Sequence, residues 1–158
     1  MNLTVDIQTA SAETVPDEDD IRSWISNTLQ RADHQGDQIE ISVRLVDEPE
    51  MAELNGRYRD RHASTNVLSF PADLPAGLDL PMLGDIVICA PVVRREASQQ
   101  GKPLQAHWAH MTVHGTLHLL GYDHENDSDA TTMESLETAI LAQLNYPCPY
   151  AGYPNEEH

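Results

Sequence analysis

One stretch in the C-terminal half of the chain, HGTLHLLGYDH (114–124), constrains the fold more than any other. On a helix, His114 and His118 are one turn apart, so both imidazoles leave the same face about 6 Å apart along the axis. Gly121 suits the position just beyond a helix end, where a positive φ lets the chain turn back. Such a turn brings His124 toward the two helical imidazoles. The stretch therefore predicts a helix with a three-histidine metal site at its C-terminal end.

The donor set of this site indicates which metal it would take. Three imidazoles leave a fourth coordination position open, as in catalytic rather than structural zinc sites. We predict that His114, His118 and His124 bind one Zn²⁺ per chain, although the same ligands also suit other transition metals. His107 and His110 lie on nearly the same stripe of the helix, two turns and one turn earlier. We interpret them as packing residues or as hydrogen-bond partners of the ligands.

The residue after the first histidine narrows the chemistry. The histidine spacing is that of the metzincin proteases, but Gly115 stands where those proteases keep a catalytic glutamate. That glutamate accepts a proton from the attacking water and passes it to the leaving amine, and a glycine can do neither. Phosphodiester cleavage needs negative charge on the phosphoryl group to be stabilised, which a metal and a guanidinium can supply. A metalloprotease-like hydrolase is therefore the disfavoured alternative.

Hydrophobic periodicity divides the chain into strands and helices. Alternating or continuous apolar runs predict strands around residues 3–7, 39–45, 67–70 and 86–90. Amphipathic stretches predict helices from the acidic turn after Pro16 to about Leu29, from Asp47 to about Tyr58, and over 91–100, 104–120 and 127–144. Asp47 and Glu50 have the spacing of a capping box at the start of the second helix.

This element order, β-α-β-α-β-β-α-α-α, predicts the fold class. It indicates a single α+β domain over residues 1–146, with a small mixed sheet covered by helices and the metal site at the end of a helix in the C-terminal half. The tail at 147–158 is rich in proline and is predicted to be irregular. The periodicity does not predict how the strands pair.

Charge and apolar content limit the partners and the compartment. Nine basic residues against 26 acidic ones give a formal net charge of −17, which repels polyanions at long range. Three of the nine, Arg57, Arg59 and Arg61, fall within five positions. The apolar runs are shorter than the roughly 20 residues of a membrane span. The start of the chain has no signal-peptide pattern, and Cys89 and Cys148 form no CxxC pair, which predicts a reduced, cytoplasmic setting without a membrane partner.

Two blocks give the chain a resemblance to the YbeY family of bacterial endoribonucleases and ribosomal-RNA maturation factors. HGTLHLLGYDH (114–124) matches the highly specific histidine block of that family, and NGRYRDRHASTNVLSFP (55–71) resembles its arginine-containing block. The match is strong from about residue 55 to residue 150, including LGDIVIC (83–89). His62 and Ser64 stand where the family commonly has Asp and Pro, and we expect this departure to alter the loop rather than the chemistry.

The resemblance implies a zinc-dependent endoribonuclease, specific for single strands, that acts in small-subunit rRNA maturation and in ribosome assembly or quality control. By position, His114, His118 and His124 correspond to the metal ligands of the family, and Arg59 to its functionally important arginine. The resemblance also implies single-stranded RNA or an rRNA precursor as substrate, with a small-subunit ribosomal protein and an assembly GTPase as partners. DNA and membranes are not expected partners.

Two roles are considered for Arg59, one without function and one functional. An arginine near a helix C-terminus often interacts only with the helix dipole or with solvent. Its two arginine neighbours in an acidic chain, together with the family match, favour a phosphate contact that assists catalysis. Arg57 and Arg61 are then expected at the rim of the site. The attacking group, water or the ribose hydroxyl, stays open, as does a non-catalytic assembly factor in which the metal is only structural.

Overall fold

The computed structural model describes residues 2–32, 38–59, 65–72, 81–122 and 127–149. The elements are β1 (Asn2–Thr9), α1 (Glu18–Arg31), β2 (Gln38–Val46), α2 (Glu48–Arg59), β3 (Val67–Pro71), β4 (Met82–Cys89), α3 (Ala90–Gln100), α4 (Leu104–Leu119) and α5 (Asp127–Gln143). The predicted order of strands and helices is confirmed. The predicted irregular tail lies outside the described residues from residue 150 onward.

The four strands form one mixed sheet in the order β1-β2-β4-β3. β1, β2 and β4 run parallel to one another, and β3 pairs antiparallel with β4 at an edge of the sheet. Parallel neighbours need a connection that crosses over the sheet, which α1 provides between β1 and β2. The α+β class and the mixed sheet are therefore confirmed.

Alternation along the strands gives the sheet two different faces. Val5, Ile41 and Ile86 are buried on one face, where they pack in the main core with α1, α4 and α5. On the other face, Val87 and Leu68 pack with Met51 of α2 in a smaller cluster. Because side chains of a strand point alternately to opposite faces, this pattern follows from the sequence alternation.

Helix α4 lies in the middle of the main core. Twelve of its residues are buried, including Trp108 and Leu117. It packs against α1, α3, α5 and the β3–β4 edge of the sheet. A helix that is buried on nearly all sides is typical of a central position, because most of its sides contact another element. The histidines of α4 therefore lie on a helix that is packed against several other elements.

Two local predictions are corrected. The last strand begins at Met82, four residues before the predicted start at 86, and Ala90 already belongs to α3. Gly84 explains the missed start, because a glycine weakens a strand pattern. Here its backbone approaches β3 so closely that a Cβ would lie 2.3 Å from the Phe70 carbonyl oxygen.

The predicted capping box of α2 is also wrong. The helix does begin directly after Asp47, but the Asp47 carboxylate accepts hydrogen bonds from the Ser11 hydroxyl and, at 3.1 Å, from the Ala12 N–H. The Glu50 carboxylate pairs with Arg44 of β2, with 3.0 Å between Oε1 and Nη2. Partners distant in sequence therefore replace the local capping bonds.

In the part of the chain that the structure describes, every helix is too short or too polar to cross a membrane. Both cysteines are free thiols, and Cys89 is buried beneath α3 in the smaller apolar cluster.

Candidate metal centre

Four histidines line one side of α4. His107, His110, His114 and His118 are spaced three or four residues apart, so their rings follow one another along the helix. Neighbouring rings meet edge to face, with centroids 6.1, 6.3 and 4.6 Å apart in chain order. The closest pair, His114 and His118, lies in the last two turns before the helix ends at Leu119. Gly121 follows with a φ of 99°, the positive φ that the sequence predicts.

The two histidines nearest the helix end face each other through the same ring nitrogen. Nε2 of His114 lies 3.2 Å from Nε2 of His118, and both side chains are partly buried. Two nitrogens bound to one tetrahedral zinc ion at about 2.0–2.1 Å are separated by about 3.3–3.4 Å. The spacing of the pair therefore fits one metal ion. The third predicted ligand, His124, lies outside the described residues.

A carboxylate from α5 completes a compact group of potential metal donors. Glu137 is fully buried, with Oε1 3.0 Å from Nε2 of His110 and Oε2 2.5 Å from Nδ1 of His114. By proximity of donor atoms, His110, His114 and Glu137 form a group that could hold a metal ion. The structure thus offers potential metal donors along this side of α4, where the ring of His110 also packs edge to face against the ring of His114.

Glu137 was missed in the sequence, although a signal for it exists. It lies four residues after Met133 and three before Ile140, on the buried stripe of α5. A carboxylate on the apolar face of a helix is costly unless charged or polar groups meet it there. Such a position predicts a buried partner, and the histidine stripe of α4 supplies two.

The electrostatics of this group follow from its burial and its hydrogen bonds. Burial alone would raise the pKa of Glu137, but hydrogen bonds from His110 and His114 outweigh it and hold the pKa at about 2. Burial lowers the pKa of His110 below its ordinary value, despite the neighbouring carboxylate. At neutral pH the group therefore contains an ionised Glu137 and a neutral His110.

The sheet-facing side of α4 explains the glycine that follows His114. Ser69 of β3 donates a hydrogen bond of 2.9 Å to the carbonyl oxygen of Gly115. A Cβ on residue 115 would lie 2.9 Å from Cγ2 of Ile86 and 3.2 Å from Cγ2 of Val67. The helix thus packs too closely on the sheet for any side chain here. Residue 115 points into the sheet, and the glutamate of metzincin proteases would have no space.

The arginine-containing block (55–71) begins in α2 and ends in β3, which packs on α4. Arg59 is the last residue of α2 and its side chain is not described, whereas Arg57 is exposed. Arg61, His62 and Ser64 lie outside the described residues. The block resumes as β3, whose Ser69 contacts the residue next to His114. The end of the block therefore lies beside the candidate metal centre.

The remaining basic residues are mostly engaged elsewhere. Within the described part of the chain, four of the nine form ion pairs with carboxylates: Arg22, Arg44, Arg94 and Arg95. Three of the other five belong to the arginine block. The block is therefore the main concentration of positive charge in a strongly acidic chain.

Comparison with known proteins gives consistent matches along the chain. A family model described as Endoribonuclease YbeY matches residues 5–145. The Endoribonuclease YbeY of Cellvibrio japonicus is 54% identical over 154 residues, which cover 96% of this chain and 85% of that protein. The one from Pseudomonas putida is 52% identical and covers 98% of this chain and 97% of its own.

A solved structure shares the fold at lower identity. The solution structure of TM1509 from Thermotoga maritima superposes with a TM-score of 0.58 at 21% identity, covering 90% of this chain and 92% of that one. At this identity the likeness concerns the fold alone.

Proposed function

The chain belongs to the endoribonuclease YbeY family, and on that premise we propose that it is a metal-dependent endoribonuclease that cleaves single-stranded RNA during maturation of small-subunit rRNA. One observation supports this most. Nε2 of His114 and Nε2 of His118 have the spacing of two ligands of one metal ion. The neighbouring Gly115 leaves no space for the glutamate that a metalloprotease uses.

The proposed ligands are His114, His118 and His124, and zinc is the expected ion. Imidazole sets favour zinc, copper or nickel over magnesium or calcium, which prefer oxygen donors. When bound, the ion supplies positive charge that polarises a phosphoryl oxygen. The two helical imidazoles lie near the end of a buried helix, and the 3.2 Å between their Nε2 atoms is close to the separation of two zinc ligands.

Arg59 is proposed to offset the negative charge that develops on the phosphoryl group. Its guanidinium is permanently charged and can make two parallel hydrogen bonds to phosphate oxygens, a geometry that lysine cannot reproduce. The course of the chain supports this role, because the segment after Arg59 leads into β3, which packs on α4 beside His114. Arg57, which is exposed and lies two residues before Arg59, suits a rim contact.

The acidity of the chain bears on how RNA reaches the site. Tight binding of free nucleic acid depends on neutralising phosphates. A net charge of −17 opposes it, and so do the four arginines that are already ion-paired in the described part of the chain. We expect weak affinity for free RNA and delivery by partners in the cytoplasm. A small-subunit ribosomal protein and an assembly GTPase are the proposed partners.

Single-turnover cleavage of a single-stranded RNA oligonucleotide at saturating enzyme tests the proposal, because weakened binding then does not reduce the observed rate. The variants are Arg59→Lys and, as matched control in the same helix, Arg57→Lys. Losing one electrostatic stabiliser of the transition state costs on the order of a hundredfold in rate, so Arg59→Lys should slow cleavage by about that factor. Wild-type cleavage by Arg59→Lys would exclude the proposed role.

The same preparations distinguish the alternatives. Metal-dependent cleavage of an unfolded peptide by the purified protein, without RNA cleavage, would support the hydrolase of the protease type. Stoichiometric metal with neither activity would support an assembly factor in which the metal is structural. We expect RNA cleavage that is lost on chelation and no peptide cleavage.

A further inference from the structure

We propose that Glu137 is a positioning residue that remains outside the coordination shell of the metal. Its carboxylate is anchored by His110 through one oxygen and orients the ring of His114 through the other. This directs Nε2 of His114, together with Nε2 of His118, toward the ion. The inference rests on the proposed function in one respect, namely that a metal binds at the end of α4.

The separations argue against Glu137 as a ligand. Its oxygens lie 3.0 Å from Nε2 of His110 and 2.5 Å from Nδ1 of His114, which are hydrogen-bond lengths. Two donor atoms on one tetrahedral zinc ion are about 3.3–3.4 Å apart, so an ion between these atoms would force them apart. The two Nε2 atoms of His114 and His118, at 3.2 Å, already have that separation.

Hydrogen-bond chemistry assigns the ring nitrogens of His114. An ionised carboxylate can only accept hydrogen bonds, so the nitrogen that faces Glu137, Nδ1 of His114, must carry the proton. A neutral imidazole has a single N–H, which leaves the lone pair on Nε2. That nitrogen faces His118. Glu137 thus selects the tautomer of His114 in which the nitrogen beside His118 can bind a metal.

His110 fixes the orientation of the Glu137 carboxylate. Nε2 of His110 is hydrogen-bonded to Oε1 of Glu137, and Nδ1 of His114 is hydrogen-bonded to Oε2. A rotation of the carboxylate would therefore break both hydrogen bonds. Both Glu137 and His110 are buried, which excludes competing water from most of this contact. The chain of contacts runs from α4 to α5 and back to α4, one helical turn further on. The orientation of His114 is therefore determined by α5 as well as by its own helix.

Loss of such a partner weakens metal binding without removing a ligand. Replacing the carboxylate that accepts from a metal-bound imidazole typically lowers metal affinity by about 10–100-fold. Glu137→Gln keeps the size of the side chain and removes its negative charge. We expect this variant to bind zinc about 10–100-fold more weakly, yet to bind one zinc per chain when zinc is in excess.

Zinc affinity measured by competition with a chromogenic chelator distinguishes the two donor sets. The variants are Glu137→Gln, His110→Gln and His118→Ala, and the control is Glu134→Gln, an exposed carboxylate three residues earlier on α5. We expect His118→Ala to lose zinc, Glu137→Gln and His110→Gln to retain a weaker site, and Glu134→Gln to match the wild type. Loss of zinc in Glu137→Gln and His110→Gln, with retention in His118→Ala, would overturn the proposal.

A second measurement uses the wild-type protein, so it depends neither on the folding of a variant nor on an RNA substrate. Long-range ¹H–¹⁵N NMR of metal-free wild-type protein identifies which nitrogen of His114 carries the proton. We expect protonated Nδ1, and a proton on Nε2 alone would overturn the proposal. Failure of RNA cleavage would contradict the proposed function and leave both readouts of this inference intact.

Discussion

Two carboxylates meet the histidine stripe of α4, and the comparison separates a structural contact from a candidate site. Glu96 of α3 lies 2.9 Å from Nε2 of His107, whereas Glu137 of α5 lies 2.5 Å from Nδ1 of His114. His107 is left with Nδ1, which is buried and has no hydrogen-bond partner among the described residues. His114 is left with Nε2, the outer ring nitrogen, which faces His118. The nitrogen that the carboxylate engages decides whether the other can reach an ion.

The two carboxylates also differ in their exposure to solvent and in their hydrogen-bond partners. Glu96 is 28% exposed and accepts hydrogen bonds from the Asn66 amide at 3.2 and 3.3 Å. Burial would raise the pKa of Glu96, but the hydrogen bonds from His107 and Asn66 outweigh it and lower the pKa. Asn66 stands directly before β3, so this cluster ties α3, α4 and the sheet edge together. Glu137 is fully buried, and each of its two carboxylate oxygens contacts a histidine of α4.

The largest expected difference is in metal content. His114→Gln and His107→Gln make the same change at the two histidines that contact a carboxylate through opposite nitrogens. His114→Gln removes a proposed ligand, so zinc affinity should fall by more than about 100-fold, beyond the loss of an outer partner. His107→Gln should keep one zinc per chain. Metal analysis after gel filtration measures both, and equal zinc content in the two variants would remove the distinction between the clusters.

A substitution on the sheet-facing side of α4 should change the stability of the fold and not the activity of the protein. Gly115→Glu would insert the protease glutamate against Ile86, and overpacking with a buried charge should destabilise the fold by more than about 3 kcal/mol. The variant should gain no peptidase activity. Urea unfolding gives the stability, with Ser135→Glu on the exposed side of α5 as control. A stable Gly115→Glu protein that cleaves peptides would show that residue 115 can face the metal.

Acid should affect the two carboxylates unequally. The pKa of Glu137 is lowered from 4.5 to about 2, so its ionised form stabilises metal-free protein above about pH 4.5, by about 3 kcal/mol. This stabilisation is lost as the pH falls toward 2. The stability difference between wild type and Glu137→Gln should therefore narrow between those values. Burial also lowers the pKa of His110, so its protonation below its ordinary value of 6.5 destabilises both proteins.

Urea unfolding at a series of pH values in the presence of a chelator provides the measurement. Glu96→Gln is the comparison, because the pKa of Glu96 is also lowered but its carboxylate is partly exposed and solvent screens it. We expect the same sign with a smaller change. A stability difference for Glu137→Gln that is independent of pH would contradict an ionised, hydrogen-bonded Glu137.

The smallest effect is expected at the other end of the stripe. Asn66→Ala removes the amide that contacts both oxygens of Glu96 and should cost about 1 kcal/mol. Zinc affinity should not change, because Glu96 contacts the stripe at His107, which lies two helical turns before His114. Thermal unfolding measures the loss of stability, and competition with a chelator measures the zinc affinity. A marked loss of zinc affinity would mean that the two clusters are coupled.

Some of these features could be predicted from the sequence and others could not. Helical spacing predicted that His114 and His118 share a face, and alternation predicted the strands, because both depend on periodicities of two or 3.6 residues. Glu137 and Gly84 depend on contacts with elements distant in sequence, which periodicity does not contain. Asp47 and Glu50 had a suitable local pattern, but Ser11 and Arg44 compete for their carboxylates. The ligand roles of His114, His118 and His124 and the role of Arg59 stay predictions.

A crystal structure of the zinc-loaded protein, with the ion located by anomalous scattering, would show which atoms of the protein bind the metal. We expect one zinc ion about 2.0–2.1 Å from Nε2 of His114 and Nε2 of His118, with the Glu137 oxygens still hydrogen-bonded to His110 and to Nδ1 of His114. Zinc bound to an oxygen of Glu137 or to Nε2 of His110 would contradict it.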